Sequence, residues 1–389
     1  MNIGFFADCW DPQINGVITS MKNLELDLCG KNHRVYKFAP KQDNSHNDQT
    51  LFLQNSIQYV FQKEFSLASP FPYKALDQAR KWKLDIVHGH SEFSVGRIGA
   101  TVADRLNIPL VATLHTLWEL YTHYFFWGKC PLSIFRYYFG MYYRRPRYFI
   151  VPSIKIKKYL QTVFHVEHPI EIIPTGIELS RFGDSQYARQ DISGFRKQFR
   201  LKDNDIVGIL VGRMGKEKSI EMVIRAVARL IHKYPKLKLL LVGGGPELEE
   251  LKALAKTLDA EDAVVFAGYI PQKNIPLTYR ASDFFITAST TETQGLSTIE
   301  AMATGLPLIL RSDPVQKEVA GDSGNALFFD SEMELANAME KIISNTTIQR
   351  QLASLAKKRS ESFSLAQFGS RVERFYDYVL TDFHSSRIK

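Results

Sequence analysis

Short apolar runs alternate with amphipathic stretches along almost the whole chain. In the first half, Asn2–Phe6, Arg34–Phe38, Ile86–His88, Leu110–Leu114 and Tyr148–Val151 have the near-continuous apolar character of strands buried on both faces. Between them, Ser20–Cys29, Val95–Leu106 and Lys155–Phe164 repeat apolar residues at helical spacing. After residue 175 the rhythm starts afresh. Strands are expected at Ile206–Val211, Leu237–Val242, Ala263–Ala267, Asp283–Thr287 and Pro307–Leu310, with helices at Ser219–Tyr234, Glu247–Leu258, Ser297–Thr304 and Glu332–Ile343. Such alternation predicts parallel sheets covered by helices on both faces, a doubly wound α/β architecture. Two series predict two Rossmann-like lobes, residues 1–175 and 176–364, joined near Ile173–Glu178. Ligands of such sheets bind beyond the carboxyl ends of the strands, so the lobes are expected to face a central cleft. A last helix, around Leu365–Val379, is expected outside the second lobe, with residues 365–389 packing back on the first. Gln42–Thr50 reads as a polar loop.

The length of 389 residues suits two domains, and 45% hydrophobic with 23% charged residues is the make-up of a folded globular protein. No stretch approaches the roughly 20 apolar residues that cross a bilayer. Met1–Phe6 lacks the basic and cleavage regions of a signal peptide and reads as a first strand. Cys9, Cys29 and Cys130 lie far apart, which points to reduced thiols in the cytosol and not to a disulfide or zinc framework. The net charge is +8, and residues 1–175 hold 20 Lys and Arg against 14 Asp and Glu. That asymmetry suits nucleic acid, an anionic membrane surface or a phosphorylated ligand, without choosing among them.

Candidate chemistry concentrates at strand ends. Glu292-Thr-Gln-Gly-Leu-Ser-Thr-Ile-Glu300 follows the strand Asp283–Thr287, and Gly295-Leu296-Ser297 opens a helix with Glu300 about a turn inside. The free amides of a helix start can hold phosphate or sugar oxygens, and the two glutamates flank that point. Either glutamate taken alone is equally readable as an ordinary helix cap. Val211-Gly-Arg-Met-Gly-Lys-Glu-Lys218 follows the first strand of the second lobe and places Arg213 and Lys218 where a doubly wound fold meets phosphate; a solvated basic turn is the alternative. Leu241–Pro246 is a glycine-rich turn that carries little information by itself.

Together, Gly212–Lys218, Val242–Pro246, Phe266–Ile270 and the Glu-x7-Glu string Glu292–Glu300 resemble family 4 of the retaining glycosyltransferases over nearly the whole chain. That family has the GT-B fold. The resemblance implies that Arg213 and Lys218 bind the diphosphate of a nucleotide-sugar donor and that backbone at Tyr269 and Ile270 meets the base. It further implies that Glu292 holds the transferred sugar, with amides of Leu296 and Ser297 nearby, and that Glu300 holds the ribose. In the first lobe Pro12-Gln-Ile-Asn-Gly16-Val resembles the family's glycine loop, where Gly16 lets backbone approach the donor phosphates. His115, in Thr113-Leu-His-Thr116, matches the family's active-site histidine, while His88 and His90 read as packing or acceptor-side residues. The resemblance implies no covalent nucleophile, with no carboxylate clearly placed for a double displacement, and hence same-face substitution assisted by the leaving phosphate. Asp203-Asn204-Asp205 reads as a solvated turn, and neither a metal nor another cofactor is expected.

The acceptor clue is Tyr121–Phe149, where thirteen of twenty-nine residues are aromatic, interleaved with Lys129, Arg136, Arg144, Arg145 and Arg147. Rings beside cations suit the boundary of an anionic membrane, though a Tyr- and Phe-rich core is the other reading. His115–Phe125, including Tyr121, His123 and Tyr124, resembles the matching segment of bacterial diacylglycerol glucosyltransferases. On that resemblance the donor is a UDP-sugar, with glucose favoured and galactose left open by the residues, the acceptor is diacylglycerol and the enzyme attaches peripherally to the cytoplasmic face of the membrane. Family 4 also serves phosphatidylinositol, polyprenyl-linked and soluble sugar acceptors. Leu51–Phe71 is a second candidate membrane contact or a strand hairpin. A nucleotide-sugar epimerase would need its own acid pair, which is not identifiable. An NAD oxidoreductase is disfavoured because Asp8–Gly16 stands where a GxGxxG would be. An inactive nucleotide-sugar-binding protein is disfavoured by the intact set of Arg213, Lys218, Glu292 and Glu300. No recognised nucleic-acid fold accompanies the aromatics, and no protein partner is indicated.

Overall fold

The computed structural model describes residues 1–11, 13, 15–41, 48–58, 66–119, 131–183 and 186–386. The chain divides into two units: Met1–Gly176 together with Leu365–Lys389, and Ile177–Ser364.

The strands of the first unit are β1 (Asn2–Phe6), β2 (Arg34–Pro40), β3 (Leu51–Gln54), β4 (Ser56–Gln58), β5 (Ser66–Ala68), β6 (Ile86–Gly89), β7 (Leu110–Thr113), β8 (Tyr148–Val151) and β9 (Ile170–Ile172). Among the described residues, seven of them pair in the order β3-β2-β1-β6-β7-β8-β9, every pairing parallel. β4 and β5 form a separate antiparallel pair, so the described residues of the Leu51–Phe71 region hold a sheet strand followed by that pair. The helices are α1 (Gly16–Gly30), α2 (Tyr73–Trp82), α3 (Ser94–Leu106), α4 (Leu132–Tyr143) and α5 (Ile154–Val163), with the chain-terminal helix (Leu365–Ser385) added to the same unit. Side chains alternate across a strand, and β1 shows the result. Phe6 packs with Phe38, Val87 and Phe149 on one face. Ile3 and Phe5 pack with Met21, Leu24 and Leu28 of α1 on the other. The terminal helix completes that second face with Phe368, Val372, Tyr376 and Val379.

The second unit repeats the scheme with β10 (Ile206–Val211), β11 (Leu237–Val242), β12 (Val264–Gly268), β13 (Phe284–Thr287), β14 (Leu308–Arg311) and β15 (Ala326–Phe329). Among the described residues these form a parallel sheet in the order β12-β11-β10-β13-β14-β15. Its helices are α6 (Arg189–Gln198), α7 (Ile220–Leu230), α8 (Leu248–Thr257), α9 (Ile275–Arg280), α10 (Leu296–Thr304), α11 (Pro314–Ala320), α12 (Glu332–Ser344) and α13 (Thr346–Ser360); the terminal helix Leu365–Ser385 is α14. In α7, Ile220, Val223, Ile224, Val227 and Leu230 recur at the helical period and are buried against the sheet. Side-chain caps mark three starts: Asp313 accepts from Val315 N–H, Ser331 from Glu334 N–H, and Asn345 from Ile348 N–H. Within this sheet the order reverses at β10 and β13, which brings their carboxyl ends side by side. That is the place where an open α/β sheet offers a crevice.

Candidate functional site

Both expected groups of the second unit lie at that switch point. The turn after β10 carries Arg213 and ends in a 3-10 turn, Lys216–Lys218; the loop after β13 carries Glu292. Because β10 pairs with β13, residues far apart in sequence meet: Lys218 Nζ donates to Glu292 Oε1 in a half-buried ion pair. Arg213 is more open, with Nη1 3.8 Å from Oε1 of the buried Glu217. The turns after β10 and β11 stack backbone on backbone. Met214 N–H donates to Gly244 O at 2.8 Å, and a Cβ on Gly243 (φ +127°) would lie 2.1 Å from Gly212 O. Only glycine allows that approach, so Gly243 is what lets the Arg213 turn sit over its neighbour. Tyr269 follows β12, is largely exposed, and its ring lies against Gly244. With Ile270 it borders a pocket of about 490 Å³ that also includes Gly194, Phe195 and Leu277.

Gly295 adopts φ +78° at the entrance to α10, so Leu296 and Ser297 are the first helical residues. Helix geometry leaves such first-turn amides without an intrahelical acceptor. Glu300 is not a surface cap. It is buried, and Tyr279 OH donates to its Oε2 at 2.8 Å and to Ser297 O at 3.2 Å. Burial pushes its carboxyl up to about 7, opposed by the Tyr279 hydrogen bond and the charge of Arg181. A second buried tyrosine contact of this kind is carried by Glu92 in the first unit.

There, β6 ends in His88-Gly89, and His90 and Glu92 follow, with His115 beyond the adjacent β7. His90 Nδ1 and His115 Nε2 share one hydrogen bond of 3.1 Å. His88 bonds Thr113 Oγ1 and, through Nδ1, Tyr376 OH of α14, each at 2.6 Å. The His88 and His90 rings lie 3.9 Å apart. Burial pushes His115 down to about 4, so it is neutral at physiological pH. His88 and His90 are held well below the ordinary histidine range by burial and then by their charged-state repulsion with neighbouring histidines. Gly16 is the first residue of α1, where Asn15 Oδ1 accepts from Ile18 N–H at 2.9 Å.

Some expectations are redrawn. Asp203-Asn204-Asp205 is not wholly solvated: Asp205 is buried, and its carboxylate closes the turn by accepting from Lys202 N–H at 2.7 Å. Tyr121, His123 and Tyr124, like Pro12 and Ile14, lie outside the described residues. Sequence reasoning passed over Asp8, whose carboxylate accepts from Ser91 and Ser94 hydroxyls at 2.5 and 2.6 Å and from Val95 N–H at 2.8 Å, holding the start of α3. It also passed over Tyr279 and Glu92. The signal available for Asp8 and Glu92 was their place, just past β1 and β6, the strands that flank the switch point of the first sheet.

Residues 14–181 match the family model described as Glycosyltransferase Family 4, and residues 191–359 match Glycosyl transferases group 1. The chain belongs to glycosyltransferase family 4, a class of sugar-transferring enzymes with two Rossmann-like domains. Two relatives are named alpha-monoglucosyldiacylglycerol synthase. That of Streptococcus pneumoniae is 33% identical over 97% of this chain and 85% of its own. That of Acholeplasma laidlawii is 32% identical over 97% and 96%. The solved structure of Anabaena Alr3699/HepE in complex with UDP and glucose shares the fold, with TM-score 0.76 and 20% identity over 96% of this chain and 99% of that one.

Proposed function

We propose that this chain transfers glucose from UDP-glucose to the free hydroxyl of 1,2-diacylglycerol, retaining the anomeric configuration. The bond between the sugar C1 and the β-phosphate oxygen breaks, and a bond from C1 to the acceptor oxygen forms. The hydroxyl proton passes to the departing phosphate, and UDP leaves. The observation that carries this reading is the match of 32–33% identity over 97% of the chain to two relatives named for making monoglucosyldiacylglycerol.

The second unit supplies groups suited to the donor. Arg213 and Lys218 stabilise the diphosphate as charge develops on it. Lys218 has three N–H donors, so it can keep Glu292 and still bond phosphate oxygens. Glu292, oriented by that ion pair, accepts from sugar hydroxyls, and the amides of Leu296 and Ser297 face phosphate oxygen. Glu300 accepts from the ribose diol and Tyr269-Ile270 backbone meets the base. The first unit serves the sugar through neutral His115, which can donate or accept a hydrogen bond without adding charge, and the phosphates through backbone at Gly16. No metal is required, because the cations of Arg213 and Lys218 neutralise the leaving group.

A lipid acceptor used with a nucleotide-sugar donor fits a reaction at an anionic membrane surface on the cytoplasmic side. No described helix is long and apolar enough to cross a membrane. What supports peripheral attachment is the outer face of α4, where Leu132, Ile134, Tyr137, Tyr138 and Met141 are exposed beside Arg136 and Arg144. Apolar side chains with nearby cations are adequate for reversible binding.

The test crosses donors with acceptors. Purified protein is given radiolabelled UDP-glucose, UDP-galactose or GDP-mannose, each with diacylglycerol micelles or a soluble sugar. Label reaching lipid from UDP-glucose alone is the expected result. Label reaching only soluble sugars, or equal use of GDP-mannose, sinks the assignment.

A further inference from the structure

Glu92 is buried beside a cluster of rings: Phe93 packs edge-on against Trp118 and Phe139, with centroids 4.9 and 5.4 Å apart. A carboxyl in such surroundings is unfavourable compared with an apolar side chain of similar size, unless its oxygens are used. Both are used. Oε2 accepts from Trp118 Nε1–H at 2.9 Å, and Oε1 accepts from Tyr143 OH at 3.0 Å. Trp118 stands beyond β7, and Tyr143 is the last residue of α4, so Glu92 ties the chain leaving β7 to the end of α4. Further ties reinforce the same base. Arg97 Nε donates to Glu92 O at 3.2 Å, while its Nη2 donates to Tyr138 O at 2.6 Å and its guanidinium lies 4.2 Å over the Tyr138 ring. Arg136 Nε donates to Glu119 Oε1 at 2.7 Å, joining the residue after Trp118 to the second turn of α4.

We propose that Glu92 is a positioning residue for the lipid acceptor: its two oxygens pin Trp118 and Tyr143 and so fix α4, the helix whose outer face meets the lipid. It therefore governs acceptor affinity and leaves the donor alone. This rests on the reading of α4 as the acceptor side. The role needs hydrogen bonds and not charge, because both partners arrive as donors and the tyrosine can also accept. A glutamine can serve: its carbonyl accepts from Trp118 while its amide donates to the Tyr143 oxygen. Leucine fills the space and offers nothing.

The experiment compares Glu92→Gln, Glu92→Leu and Tyr143→Phe with the wild type. In Glu92→Leu the KM for diacylglycerol in mixed micelles should rise about tenfold, in line with the loss of hydrogen bonds to a buried carboxylate. Tyr143→Phe should show part of that rise, Glu92→Gln should stay within about threefold of wild type, and the KM for UDP-glucose should not move in any variant. An unchanged acceptor KM in Glu92→Leu overturns the proposal, and so does a parallel rise in both KM values, which is the mark of a general structural defect. The clamp is also read without acceptor, from hydrogen exchange of the Trp118 indole N–H, identified by its disappearance in Trp118→Phe. Exchange should be about tenfold faster in Glu92→Leu and near wild type in Glu92→Gln. Unchanged exchange in Glu92→Leu overturns the clamp. If wild-type protein glucosylates no lipid while hydrolysing UDP-glucose, the acceptor assignment fails, and this readout still decides the clamp.

Discussion

Lys218 and Glu292 stand 74 positions apart and meet because β10 and β13 are neighbours in a parallel sheet. The pair holds each side chain in place before any donor arrives, which reduces the ordering that binding must impose. Lys218→Ala should lower kcat by about a hundredfold or more, since it removes a cation from the leaving group and leaves Glu292 repelling phosphate. Glu292→Ala should lose as much while UDP alone still binds. Wild-type turnover in either variant, with folding verified by thermal melting, contradicts the assignment. Glu300 gives a pH test. Its carboxyl titrates near 7 because it is buried. In the proposed ribose-binding role the ionised form would accept from both ribose hydroxyls and the acid would not, so the KM for UDP-glucose should fall as pH rises through that value. The fall should be about tenfold between roughly pH 6 and 8, the change in ionised fraction for a group titrating at 7. In Glu300→Gln the profile should be flat over that window; a profile as steep as wild type would assign the titration elsewhere. Arg213, Lys218, Glu292 and Glu300 were legible in sequence because each follows a recognisable strand with glycine at a fixed offset. Glu92 was not, since a single acid carries no pattern and its partners lie 26 and 51 positions downstream. Tyr279 was hidden for the same reason, 21 positions before Glu300.

At the scale of elements, strands of the parallel sheets were readable because burial on both faces leaves runs such as Leu237–Val242 almost wholly apolar. The short outer strands Ile170–Ile172 and Ala326–Phe329 were not expected, because three or four residues with a half-open face do not stand out from loop. In α4 the inner face was ambiguous in sequence: Phe135, Phe139, Tyr142 and Tyr143 are core, so much of the aromatic richness is packing. What remains outside is Leu132, Ile134, Tyr137, Tyr138 and Met141. Placing a charge there should separate membrane attachment from folding. Ile134→Glu should weaken sedimentation with anionic vesicles about tenfold, the value of one aliphatic side chain leaving an apolar phase, with UDP binding and melting unchanged. Equal sedimentation of the variant would move the membrane contact to another surface.

For the whole molecule, the charge is compatible with the proposed partner, an anionic membrane surface. The chain carries a net +8, and residues 1–175 hold 20 Lys and Arg against 14 Asp and Glu. Attraction to anionic lipid is screened by salt, so raising sodium chloride from about 0.05 to 0.5 M should release the protein from anionic vesicles and leave UDP binding largely intact. Retention at high salt would mean that apolar contacts alone carry the attachment. The measurement that bears most directly on the central claim is product analysis after incubation with UDP-glucose and diacylglycerol in EDTA. The expected product is a single lipid-soluble monoglucoside whose anomeric proton has the small coupling of an α linkage, formed at the same rate with and without chelator and absent with Lys218→Ala. A β-linked lipid, or label that stays in the aqueous phase while donor is consumed, contradicts it.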